Sequence, residues 1–213
     1  MQYGISILLS GISLGGQYAL VAIGYTMVYG ILRLINFAHG DVFMVAGLML
    51  VYLSASLPLA TAIPLMVLLT VLLGFIIERA AYKPLRTAPR MSVMISAIGV
   101  SYLLQNLATY VTGGLPQMYP AIPGLSAQLT IAGVSTKYVT VITPVLVVVL
   151  VVALTQLINH TKIGVAVRGV SRDFATAQLM GIRINSVISV TFIIGSLLAA
   201  IGSLLYFTNY QSI

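Results

Sequence analysis

Long stretches of this chain carry no charge. Six runs, Ile5–Ile31, Val42–Leu57, Leu59–Ile77, Met91–Val111, Val139–Ile158 and Val187–Phe207, contain no Lys, Arg, Asp or Glu. A helix needs about 20 residues to cross the hydrocarbon of a bilayer. Hydrocarbon offers backbone groups no partner beyond the helix itself, so uncharged runs of this length point to helices. The chain is 60% hydrophobic and 6% charged, against about 25% charged in soluble domains. No soluble fold of this size covers that much apolar surface. The expected fold is all-α, a polytopic membrane helical bundle of about six transmembrane helices forming a single domain over residues 1–213. The second run is short, so that helix is expected to be short or broken and to cross together with part of Leu34–Asp41.

The charges mark the ends of the runs. Eight of the ten Lys and Arg residues lie in two loops, at 78–90 and 161–183. The net charge of +7 does not indicate nucleic-acid binding, because the cations sit at span ends, where the positive-inside bias puts them. Two spans separate the two loops, and two spans separate Arg33 from the first loop. Nine basic residues therefore share one face and Lys137 alone takes the other. The positive-inside rule makes the nine cytoplasmic and leaves the N-terminus, the 112–137 segment and the chain end outside. Met1 to Gly4 supply no basic n-region, so the first run reads as a retained span. With no Cys, neither a disulfide nor a thiolate metal site is available.

Small residues recur within the spans, as in the GxxxG of Gly11–Gly15 and in Gly195, Ala199, Gly202 and Ser203. Such faces let helices approach closely in lipid. Packing within the bundle is the simpler reading, and subunit contact the alternative.

Two polar stretches are candidates for function. Asn36, His39, Gly40 and Asp41 lie in the most polar membrane-proximal stretch of the first half. Gly40 is able to break a helix and Asp41 to N-cap the next. They read either as a broken helix lining a substrate path or as an ordinary capped turn. One His with one Asp is too few ligands for a metal. The loop at 161–185 reads as one helix from Val165 to Met180, stopped by Gly181. Val167, Val170, Phe174 and Ala177 define its apolar face, with Arg168 and Arg172 elsewhere. That face suits either the headgroup interface or a groove on a cytoplasmic partner. No P-loop, HExxH or GxSxG occurs, so no catalytic residue and no cofactor is expected. His160, at a span end, reads as a snorkelling or capping residue.

Three stretches together resemble a known family. Gly15-Gly16-Gln17-Tyr18-Ala19-Leu20 through Gly30, the segment Asn36-Phe37-Ala38-His39-Gly40-Asp41, and Gly164–Ile182 followed by Phe192–Leu205 are similar to the permease subunits of ATP-binding-cassette importers for branched-chain amino acids. The resemblance covers essentially the whole chain. It implies a non-catalytic permease in a bacterial inner membrane. Its implied partners are a second, LivM-like permease, two cytoplasmic ATPases on the coupling loops and a periplasmic binding protein that delivers leucine, isoleucine or valine. By position, Arg168, Arg172, Asp173, Phe174, Ala177 and Gly181 fall in the coupling segment, and Asn36, His39, Gly40 and Asp41 nearest the path. Family members continue for further spans, so a fragment or a truncated gene is expected. Related permeases serve amides and urea, which leaves the substrate open. A self-sufficient secondary transporter or channel would need Asp41, Glu78, Asp173 or the two His for coupling, and none is expected inside a span.

Overall fold

The computed structural model of this chain describes residues 2–86, 88–131 and 134–213. Among these, six helices are long and apolar enough to cross a membrane. They are α1 (Gln2–Leu32), α2 (Ala38–Ser56), α3 (Leu59–Ile77), α4 (Arg90–Thr112), α5 (Tyr138–His160) and α8 (Ile184–Tyr210). Two short helices, α6 (Lys162–Arg172) and α7 (Phe174–Leu179), form the second basic loop. Strands β1 (Gln128–Ile131) and β2 (Val134–Lys137) pair antiparallel, with Gln128 opposite Lys137.

Local chemistry sets the ends. Arg33 closes α1 in the left-handed region (φ 53°) and donates its backbone N–H to Tyr29 O at 2.8 Å. Gly113 ends α4 at φ 65°, a conformation a side chain disfavours. α2 is short but unbroken. The Asn36 carbonyl accepts the His39 N–H at 3.2 Å, which starts the first turn ahead of Gly40. Gly40 and Asp41 are therefore inside the helix, and the residue preceding it is Phe37. The expectation of a helix broken at Gly40 and capped by Asp41 does not hold.

The ends also sort the loops. Arg33 donates to Ser171 O at 3.4 Å, and Arg86 donates to Asn185. The two basic loops and the α1–α2 turn thus share one end of the bundle. At the other end Lys137 donates to Asn209 O at 2.6 Å. Gln117 and Ile213 exchange backbone hydrogen bonds of 2.9 and 3.0 Å.

α8 is the core of the bundle and packs against α1, α2 and α3. Lipid provides no hydrophobic drive between helices, so close van der Waals approach must hold them together. Small residues permit it. A β-carbon at Gly195 would meet Gly24 O at 3.3 Å, one at Gly202 would meet Phe43 at 3.4 Å, and one at Gly74 would overlap Ser196 Oγ. The small face of the last span thus serves packing within the chain. The GxxxG of α1 does not, because nothing lies within 4 Å of a β-carbon at Gly11 or Gly15.

Gly195→Leu should cost about 1–3 kcal/mol by overpacking, read as a lower unfolding temperature in detergent and lower membrane abundance. Gly15→Leu should leave both unchanged in the isolated chain.

Candidate functional site

The basic end of the bundle is built on helix termini that carry most of the chain's charge. A single π turn, Glu78–Tyr82, continues α3. π turns often re-aim side chains at functional positions. Here Tyr82 is turned inward, where its hydroxyl donates to Asn36 Oδ1 at 2.8 Å and its ring lies 5.0 Å from that of Phe192. Asn36 is buried in this contact and ties the α1–α2 turn to α3.

His39 is buried between α1 and α8, where two glycines make room. A β-carbon at Gly24 would lie 2.8 Å from His39 Nε2 and one at Gly195 would lie 3.7 Å from Cε1. Nε2 has no hydrogen-bond partner among the described residues. Asp41 turns the other way, toward α4. Its carboxylate accepts from Ser101 Oγ and from Gln105 Nε2 at 3.0 Å. The four candidates of the 36–41 stretch therefore do not converge. Asn36 and His39 are packed within the bundle, while Gly40 lies exposed and Asp41 borders the outward side.

The second basic loop departs from the expected single helix. Asp173 is extended (φ −152°, ψ 117°) and divides it into α6 and α7. Its carboxylate accepts from Thr176 Oγ1 and from the Ala175 N–H at 2.9 Å. These bonds from Thr176 and the 175 and 176 amides hold the carboxyl below the usual carboxylate range. An Asp at this point is a strong N-cap, and capping stops the preceding helix. Thr161 caps α6 in the same way, accepting from the Gly164 N–H at 3.1 Å. Gly181 ends α7 at φ 80°, as its position suggested.

The apolar face of this loop turns inward. Val167, Val170 and Ala177 are buried in the chain's own core with Val28, Ile31 and Ile188, so they offer nothing to a partner. Arg168 donates to Ile158 O and to Asn159 Oδ1 at 3.1 Å, where it caps the end of α5. Arg172 is exposed. What the loop shows to the solvent is its tip: Leu179 is 88% and Met180 78% exposed, and Phe174 40%. Phe174 also lines a cavity of about 760 Å³ with Leu32, Tyr82, Arg86 and Ile188.

A buried charge network at the same end went unread in the sequence. Glu78 is fully buried and pairs with Arg86. It also accepts from Ser189 Oγ at 2.8 Å, while Arg86 reaches Asn185 as well. Burial lowers the Arg86 pKa, and the Glu78 carboxylate opposes that shift. The network fastens the first basic loop to the start of α8. Its signal was present: Glu78 is the lone acid of a basic loop and stands against an apolar run. Both Glu78 and Asp41 fall inside helices of membrane-spanning length, contrary to the expectation that no acid would. Among the described residues no group of three or more His, Cys, Asp or Glu could hold a metal.

Six helices of spanning length with two structured basic loops at one end describe a polytopic bundle, and sequence comparisons assign it. The family described as "Branched-chain amino acid transport system / permease component" matches residues 7–213. The chain belongs to this family. It is 36% identical to the high-affinity branched-chain amino acid transport system permease protein BraD of Pseudomonas aeruginosa over 217 residues, covering 95% of this chain and 70% of BraD. The permease is likewise 37% identical to LivH of Salmonella typhimurium and 36% to LivH of Escherichia coli, each over 219 residues with the same coverage. No solved structure matches it.

In this permease Glu78→Gln should be destabilising, by about 1–3 kcal/mol, because it removes the buried carboxylate that pairs the partly buried Arg86 guanidinium. The double variant Glu78→Gln/Arg86→Met should recover part of the loss. Thermal unfolding in detergent measures both.

Proposed function

We propose that this chain is the membrane-embedded permease subunit of an ATP-driven importer that translocates leucine, isoleucine or valine. The observation that carries the reading is the family match over residues 7–213, on a chain whose basic loops meet at one end of a six-helix bundle. Residues 1–213 act as one permease unit in a bacterial inner membrane. They pair with a second, LivM-like permease, receive substrate from a periplasmic binding protein and are driven by two cytoplasmic ATPases. The chain itself hydrolyses nothing.

The 161–185 loop is our choice of ATPase contact. Because Val167, Val170 and Ala177 are buried in the core, the contact rests on Phe174, Leu179 and Met180, with Arg172 and Asp173 at the rim. Exposed large apolar side chains at a loop tip are costly in water and suit a groove. A self-sufficient transporter would depend on Asp41 and His39, since Glu78 is paired with Arg86, Asp173 caps α7 and His160 stands at the end of α5. The family match favours the importer.

Co-purification of the chain with its partner subunits, followed by measurement of which amino acid stimulates ATP hydrolysis, tests the reading. Stimulation by an amide or urea, but by none of the three amino acids, would reassign the substrate. Leu179→Ala/Met180→Ala should reduce ATPase recovery about thirtyfold, the loss of a buried anchor of about 2 kcal/mol. Unfolding temperature should not change, because neither side chain packs in the core. Orientation is tested by Cys replacement in this Cys-free chain. An impermeant thiol reagent added to intact cells should label Met118→Cys and leave Arg172→Cys unlabelled; the reverse pattern refutes the orientation.

A further inference from the structure

The two ends of the spanning helices carry different chemistry. Basic side chains collect at one end, and Lys137 is the one Lys or Arg at the other. That other end carries tyrosines instead. Tyr52, Tyr110, Tyr138 and Tyr210 lie at or near the helix end there, one each on α2, α4, α5 and α8, and all four are exposed. The remaining exposed tyrosines share no level: Tyr3 is in the first turn of α1, Tyr18 and Tyr102 are mid-span, and Tyr29 is near the basic end.

Direct contacts set the four at one level. Tyr52 donates its hydroxyl to Val111 O at 3.3 Å, which aligns the end of α2 with that of α4. Thr140 donates to Asn209 Oδ1 at 3.4 Å and Lys137 to Asn209 O at 2.6 Å, which aligns the start of α5 with the end of α8. A β-carbon at Gly47 would overlap the Phe207 ring, so α2 and α8 meet just below Tyr210. The basic end lies one hydrocarbon thickness away. At about 1.5 Å per residue, Arg90 to Tyr110 covers about 30 Å of α4 and Tyr138 to His160 about 33 Å of α5, against about 30 Å for the hydrocarbon of a bilayer. Between these limits α5 exposes Val145, Val148, Val149 and Val152, as contact with acyl chains requires.

We propose that the bilayer boundary opposite the basic end passes through the level of Tyr52, Tyr110, Tyr138 and Tyr210, and that the surface these side chains meet is the lipid headgroup layer. A tyrosine suits that boundary because its ring is apolar and its hydroxyl needs a polar partner. The ring rests on the outermost hydrocarbon and the hydroxyl reaches the headgroups. A partner protein on one flank does not account for the set. α4 packs on α2 and α5 packs on α1, so Tyr110 and Tyr138 stand on different sides of the bundle. The 112–137 segment then lies outside the hydrocarbon, and the bundle is held by phenols at this boundary and by cations at the other. The placement needs only spanning helices; it is independent of the cargo and of which side of the membrane the basic end faces.

The chain has no Trp, so a single introduced Trp reports its own depth by fluorescence. The test uses the purified full chain in phosphatidylcholine vesicles, carrying Tyr110→Trp, Leu103→Trp, Tyr138→Trp or Val149→Trp one at a time. Leu103 lies about 10 Å below Tyr110 on α4 and Val149 about 16 Å below Tyr138 on α5; both are exposed. Each variant is quenched by phosphatidylcholine bearing a nitroxide on its headgroup and, in parallel, by phosphatidylcholine bearing it near the end of an acyl chain. The ratio of headgroup to acyl-chain quenching should exceed one in Tyr110→Trp and Tyr138→Trp and fall below one in Leu103→Trp and Val149→Trp. A ratio below one in Tyr110→Trp or Tyr138→Trp puts that tyrosine within the hydrocarbon and overturns the placement. Quenching by neither label in either of these two variants means that protein covers the side chain, and overturns the lipid contact. Should Tyr110→Trp or Tyr138→Trp fail to insert, Val111→Trp or Tyr210→Trp makes the same measurement at the same level, with the same ratio expected.

Discussion

The bundle depends on how closely α8 approaches its neighbours. In water a helix is driven onto its partners by the apolar area it hides; in lipid that drive is gone, and contact distance matters more than area. α8 solves this with Gly195, Ala199, Gly202 and Ser203 along its inner side, met by Gly24 on α1 and Gly74 on α3. Backbones come near enough for many weak dispersion contacts to add up. The same openings admit the imidazole of His39 between α1 and α8. The helix that holds the fold together thus also fixes where the 36–41 stretch sits.

Polar groups inside the bundle follow from the same scarcity of water. Each must find a partner in the chain, at the end of the bundle where water resumes, or in something outside the chain. Asn36 finds Tyr82, and Glu78 finds Arg86 and Ser189. Thr70, Thr143 and Thr191 donate back to carbonyls one turn earlier on their own helices. His39 Nε2 and the hydroxyls of Ser13 and Ser203 are exceptions, buried with no partner among the described residues.

Much of this was legible in the sequence. The spans were readable because charge is so costly in hydrocarbon that its absence is itself a signal. The shared end of the basic loops followed from counting spans. Helix starts were less visible: α2 begins at Ala38, four residues before its uncharged run, because Gly40 and Asp41 are compatible with a first helical turn. The loop shows a different limit. A three/four spacing of Val167, Val170, Phe174 and Ala177 establishes an apolar face but says nothing of what covers it, and the cover proved to be the chain's own core. The Asp173 break was within reach, since an N-cap residue stood in the middle of the supposed helix. The β1–β2 hairpin and the π turn depend on tertiary neighbours and left no local mark strong enough to read.

The π turn has a consequence for how this protein tolerates change in chain length. It amounts to one residue more than a regular α-helix would need between Ile77 and Lys83, and each residue turns a helix by about 100°. The wider turn absorbs that residue locally and sets its own side chains at angles a regular helix would not give them, among them Tyr82 toward Asn36. Elsewhere in the basic loop an added or deleted residue has slack to absorb it. Length variation among natural variants should therefore concentrate beyond Arg86 and spare this turn, where one residue keeps Tyr82 aimed at Asn36.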